Sequence, residues 1–272
     1  MNPKPLKGKM PVYIALLALV LATMWLLYRC SHNNEGVANE FSHPKGDTLV
    51  VAIEMSPMSY AYSGDTVTGF DYEMIRDICR IHHVPVVFQP FAPYKYAFEG
   101  MKEGKFDMIV ASMPATKDLR EMYPLTESVY LDRQVLVQKA GPDGKAGVNS
   151  QLELIGDTVW IAANSPYITR LRNMSKELGD SVYVMSDPQY SSEHLCILTS
   201  LGKIPRAVVN EGIARRMSQK YNNLEYSTPV SFNAFQSWAV NPRYPELLDS
   251  LNSWIKSYKT TPEYQKLTEK YL

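Results

Sequence analysis

Short, almost continuously apolar runs alternate along this chain with stretches in which apolar residues recur every three to four positions. Residues 48–53 (TLVVAI), 84–88 (VPVVF) and 106–111 (FDMIVA) are rich in β-branched side chains, which predicts strands buried on both faces. Residues 72–82 and 95–102 between them carry helical spacing. A strand at 135–138 follows, and Ala140-Gly141-Pro142-Asp143-Gly144 marks a boundary by its turn chemistry. The alternation then resumes with a strand at 158–162, a helix opening near Ser165 and running to about 178, and a strand at 181–185. A helix at about 191–201 and a strand at 206–209 complete that set. Residues 231–240 (SFNAFQSWAV) read as one more strand, and amphipathic helices at 245–258 and 262–271 close the chain. Strand and helix in alternation call for parallel sheets with helices on their faces, so the predicted class is α/β.

The N-terminus has a different pattern. Lys4, Lys7 and Lys9 precede an uncharged run over residues 10–28, and Arg29 ends it. That length suits a helix crossing a bilayer, and the leading positive charge predicts an uncleaved anchor with the remaining chain outside the cytoplasm. The competing reading is a cleaved signal with Cys30 lipidated, although Tyr28 and Arg29 replace the small residues that such cleavage wants. Residues 1–30 are thus the anchor or signal. Residues 31–46, rich in Asn, Ser, His, Glu and Gly, form a flexible tether.

Composition narrows the partners. With 28 basic and 28 acidic side chains the net charge is zero, so nothing predicts phosphate-backbone binding and nucleic acid is not an expected partner. A 45% hydrophobic content supplies a buried core and excludes the disordered class. Cys79 and Cys196 lie among apolar neighbours and read as small core residues. The histidines lack ligand-like spacing, so neither a metal nor a cofactor is expected.

Two motifs are more specific. Gly69-Phe70-Asp71-Tyr72-Glu73-Met74 reads as a turn glycine, a buried aromatic and an Asp N-cap opening a helix. Gly104-Lys105-Phe106-Asp107-Met108-Ile109-Val110-Ala111-Ser112-Met113 is a tight turn feeding an apolar strand that stops at small residues. With the order of elements over residues 48–272, these resemble the extracytoplasmic solute-binding proteins of family 3, which include periplasmic amino-acid receptors. The resemblance implies a two-lobed fold with a two-strand hinge. Residues 47–139 and 231–272 would form the first lobe and 140–230 the second, with crossings near Val135, Leu136 and Trp238.

Ligands in open α/β sheets collect beyond the carboxyl ends of strands. Tyr60 is the nearest match to the family aromatic that follows the first strand, or else a shield for the sheet end. Tyr94, after the second strand, stands where the family often walls its pocket with an aromatic, or else covers the sheet edge. After the third strand the family reads Thr-x-Thr-x-x-Arg, whose Arg forks onto a ligand carboxylate. Pro114 replaces the first threonine, Thr116 fills the second, and Leu119 occupies the arginine position. Arg120 lies one residue later, which on a helix turns a side chain by about 100°. It is a clamp only if the loop slips, and otherwise an exposed helix charge. Ser165, ahead of Pro166, suits an N-cap whose neighbouring N–H groups would take an anionic group; capping alone explains it equally. Glu211 matches the strand-end acid that accepts a ligand ammonium, with Asn210 offering neutral hydrogen bonds beside it; the alternative is a surface acid.

These implications describe a solute receptor at the periplasmic face of the inner membrane, closing on a small polar ligand for transport or sensing. An ABC permease, a signalling protein or a cell-wall enzyme would be its partner. The same module forms the N-terminal part of membrane-bound lytic murein transglycosylase F, which needs a further catalytic domain. This sequence stops at Leu272, directly after the last receptor helix, and shows no nucleophile and base arrangement, so no enzymatic activity is expected.

Overall fold

The computed structural model describes residues 16–17, 19–25, 48–141, 143–179 and 182–272. Most of the expected anchor, the Cys30 alternative and the tether lie outside the described residues. Residues 16–17 and 19–25 are helical and exposed. Among the described residues no helix is long and apolar enough to cross a membrane.

The described residues from 48 to 272 build two main sheets and two short two-stranded ones. The first contains β1 (Leu49–Glu54), β4 (Val86–Phe91), β5 (Met108–Val110) and β13 (Ala239–Val240), in the order β13-β5-β1-β4. β1 runs parallel to β4 and β5, whereas β13 is antiparallel to β5. Every residue of β1 is buried, the consequence of helices on both faces. Its connections are α1 (Phe70–Ile81) and α2 (Tyr94–Glu103), and a hairpin of β2 (Ala61–Ser63) and β3 (Thr66–Thr68) precedes α1.

The second sheet is β11-β7-β10-β8-β9, formed by β7 (Gln134–Lys139), β8 (Thr158–Trp160), β9 (Tyr183–Met185), β10 (Arg206–Asn210) and β11 (Leu224–Pro229). β7, which the sequence assigned to the end of the first lobe, pairs antiparallel with β10 and β11 in this sheet. The short α3 (Lys117–Met122) leads out of the first sheet, and α4 (Ile168–Glu177), α5 (Ser192–Ser200) and α6 (Glu211–Lys220) accompany the second. The chain returns through β12 (Ala234–Gln236), paired antiparallel with β6 (Tyr130–Asp132), and finishes in α7 (Pro245–Tyr258) and α8 (Pro262–Tyr271).

The continuous strand expected over 231–240 is thus two short strands. Ser237 and Trp238 between them bond instead to Met113 and Thr126, which carries the chain from the ribbon to the first sheet. One apolar cluster draws on both sheets, uniting Val51, Ile53, Phe70 and Met74 with Val137, Val209 and Met217. Met58 belongs to it and lies against Gly212, where an added Cβ would sit 3.0 Å from its sulfur. Cys79 and Cys196 are buried free thiols, as their neighbours predict.

Asp71 is not a cap. The N-cap of α1 is Gly69, without a side-chain bond, and Asp71 lies inside the helix, fully buried. Its carboxylate accepts from Ser59 Oγ at 2.6 Å and from Trp238 Nε1 at 3.0 Å. Gly69 permits this by close approach: its φ is 144°, and a Cβ there would stand 2.3 Å from the Ser59 carbonyl oxygen. Its N–H also donates to the Tyr271 hydroxyl oxygen at 2.8 Å. Gly69→Ala is therefore expected to destabilise the fold by about 2 kcal/mol or more. Urea unfolding reads this as a lower midpoint, and an unchanged midpoint would contradict the packing described.

Candidate functional site

The carboxyl ends of the strands converge on a buried polar seam. Glu54, the last residue of β1, is 2% exposed and accepts the Tyr94 hydroxyl at 3.0 Å and the Ser112 N–H at 3.4 Å. Ser112 Oγ meets the Tyr130 hydroxyl at 2.6 Å. From the loop that follows β8, Tyr167 closes the seam: its hydroxyl oxygen accepts from Gln236 Nε2 at 2.9 Å and Asn210 Nδ2 at 3.4 Å. Asp132 accepts the N–H of Arg133 at 2.8 Å and of Gly212 at 3.4 Å.

Beside the seam opens a cavity of about 310 Å³. Phe98, Thr116, Leu119 and Tyr123 line it from the first sheet's side, Ser165 and Ile168 from the second's. Its aromatic wall continues inward, because Tyr123 stacks on Phe98 at 5.4 Å and Phe98 on Tyr94 at 6.1 Å. Asp118 is the charged residue among the lining side chains, which include no lysine or arginine among the described residues.

The expected site residues fall into three groups. Thr116 and Ser165 face each other across this cavity, and Tyr94 lies behind its wall. Thr116 caps α3 through Leu119 N–H at 3.3 Å. Ser165 does not cap the following helix, whose N-cap is Tyr167; its hydroxyl accepts the Tyr167 N–H at 3.3 Å while Asn164 turns the chain at φ 58°. Asn210 and Glu211 stand at the end of β10. Asn210 joins the seam, but Glu211 is already paired bidentately with Arg133, at 2.8 and 2.9 Å.

Tyr60 and Arg120 stand apart. Tyr60 packs edge-on to Tyr62 and Tyr72, at 5.7 and 5.3 Å, in an aromatic group under α1. Leu119 is buried at the cavity while Arg120 is exposed and lines a different depression, as one helical step requires. Sequence reasoning missed Glu54, Asp132 and Gln236. A carboxylate directly ending a wholly apolar strand was the available signal for Glu54; Asp132 and Gln236 gave none, since their burial comes from strands far apart in sequence.

Burial raises three carboxylates. Glu54 is pushed from 4.5 up to about 7, chiefly by burial, opposed by the Tyr94 hydrogen bond and reinforced by Asp71. Burial likewise carries Asp71 from 3.8 to about 6 against its bonds to Ser59 and Trp238. Asp132 rises from 3.8 to about 6 by burial, opposed by the N–H groups of Arg133 and Gly212. The folded chain therefore holds these protons more tightly than the unfolded chain. Their contribution to stability is full below the unfolded values and is lost as pH rises through about 6 to 7. Glu54→Gln should flatten this decline and exceed wild type at about pH 8 by on the order of 2 to 3 kcal/mol. Urea unfolding of both proteins across pH checks it; parallel profiles would remove Glu54 ionisation from the balance.

Comparison with known proteins places this geometry. Residues 48–272 match the family model of bacterial extracellular solute-binding proteins, family 3. A membrane-bound lytic murein transglycosylase F from Shewanella loihica is 27% identical over 256 residues, covering 93% of this chain and 52% of that protein. The chain therefore spans about half the length of the curated relatives it matches. In structure, an ancestral arginine-binding protein bound to arginine superposes with a TM-score of 0.73 at 19% identity, over 84% of this chain and 99% of that one. An amino acid ABC transporter substrate-binding protein from Streptococcus pneumoniae bound to L-arginine gives 0.70 at 19% identity, over 83% and 94%. Those likenesses establish the two-lobed α/β fold, and the match over residues 48–272 establishes that the chain belongs to the bacterial extracellular solute-binding proteins, family 3.

Proposed function

We propose that this protein is an extracytoplasmic receptor that closes on a small polar ligand, amino-acid-like or cell-wall-fragment-like, for transport or sensing. The observation that carries the reading is the cavity between Thr116 and Ser165, which the ends of both sheets share. Its apolar and aromatic wall, with Asp118 and no lysine or arginine among the described lining residues, favours a ligand with an amine and an apolar body. A free carboxylate finds no clamp there, because Leu119 takes the place of the family's arginine. Glu211 and Asn210 would receive the amine, with Tyr94 orienting it, once the Arg133 guanidinium that now holds Glu211 is exchanged.

The N-terminal segment would anchor this module at the periplasmic face of the inner membrane, with cleavage or lipidation at Cys30 as the alternative. An ABC permease or a cell-wall enzyme is the corresponding partner. Similarity to transglycosylase F over nearly all of this chain supports a second reading: a regulatory module that binds cell-wall fragments. Mass spectrometry of small molecules retained on purification separates the two ligand classes.

Two measurements follow with the retained ligand. Glu211→Gln should weaken binding by about 10- to 150-fold, the worth of one charge-assisted hydrogen bond, in calorimetry. Equal affinities would remove Glu211 from the site. Ligand binding should also reduce the radius of gyration in small-angle scattering, by rotation about the paired crossings at β6 and β12. An unchanged radius with a verified ligand counts against closure.

A further inference from the structure

Arg120, turned away from the cleft, borders a second and larger depression of about 390 Å³ on the first lobe. Thr126, Glu127, Phe235, Ser237 and Lys259 are among its other lining residues and come from three separated stretches of chain. Its charge is positive. Glu127 is neutralised by Lys256 at 3.0 Å, whereas Arg120 and Lys259 have no carboxylate partner among the described residues. Arg120 uses only Nε, toward the Ala115 carbonyl at 3.3 Å, which leaves both outer nitrogens of its fork available. Lys259 gives one of its three protons to the Ser128 carbonyl at 2.9 Å.

Ser237 supplies the independent observation. It is 1% exposed, and its Oγ is a buried polar atom with no hydrogen-bond partner. A native structure leaves such a hydroxyl orphaned at a cost of about 1 to 3 kcal/mol, so an unmatched donor at the wall of a cationic depression points to a missing acceptor. Thr126 Oγ1 gives its proton to the Glu127 carbonyl and accepts the Trp238 N–H, and it makes no bond to Ser237.

We propose that this depression is a second binding site, outside the cleft, for a compact oxyanion: a carboxylate or a phosphate group. The Arg120 fork and the Lys259 ammonium hold the charge, and Ser237 Oγ donates from the floor. The site adjoins the returning crossing. Ser237 lies between Gln236, which bonds Tyr167 in the loop that follows β8, and Trp238, which bonds Asp71. Occupancy therefore grips the strand that joins the lobes.

The test is calorimetry on the full chain in detergent with two probes, inorganic phosphate and succinate. Saturable binding of one or both at millimolar concentration is expected, and the tighter probe identifies the source of the oxyanion. Arg120→Gln should weaken it by about tenfold or more, the loss of a charge-assisted contact. Ser237→Ala removes an unpartnered buried hydroxyl, so the fold is kept or somewhat more stable while anion affinity falls severalfold. Glu211→Gln, which alters only the cleft, should leave anion affinity unchanged, so this site and the cleft reading fail separately. Wild-type affinity in Arg120→Gln, or no saturable binding of either probe below about 10 mM, overturns the proposal.

Discussion

The buried carboxylate of Asp71 ties together parts of the chain that nothing else brings into register. It sits one residue inside α1, bonds Ser59 in the loop leaving β1, and reaches Trp238 at a sequence separation of 167 residues. A charge taken out of water is tolerated only when hydrogen bonds replace its hydration, and each of these donors is itself buried. The first lobe can thus be made of two distant segments and still have one defined arrangement. Gly69 belongs to the same constraint, since only a residue without Cβ lets α1 begin against the Ser59 carbonyl.

The polar seam and the apolar contact between the sheets divide the work of holding the lobes. Met58, packed against Gly212, supplies dry contact, while Tyr167, Gln236 and Asn210 fix direction. Around them the charges are segregated. Buried acids occupy the seam, and the cations are either committed, as Arg133 is to Glu211, or displaced outward, as Arg120 is.

Much of the architecture was legible in the sequence, for identifiable reasons. β1 and β5 announced themselves because burial on both faces demands unbroken apolar runs, and α7 and α8 because each opens at a proline. α6 was not, since Gly212 and the Arg215-Arg216 pair dilute its apolar stripe of Ile213, Ala214 and Met217. Asp71 resembled an N-cap because caps and buried acids draw on the same residue type. For the candidate site, strand ends, a helix start and the family resemblance directed attention to Thr116, Ser165 and Tyr94, of which Thr116 and Ser165 line the cavity. The partners of Glu211 and the orientation of Arg120 depend on side-chain direction at single-residue resolution, which a motif with two of its three positions substituted does not carry.

The edge strand of the first sheet has a kinetic consequence. β13 pairs Ala239 with Ile109 and Val240 with Met108, so strands laid down early wait about 130 residues for their neighbour. Contacts of such high sequence separation slow folding, because loop-closure entropy is lost before any packing energy is returned. During synthesis the open edge of β5 remains a template for pairing with another chain until the returning segment arrives. A chaperone acting on the nascent chain would have to shield that edge while those roughly 130 residues are added.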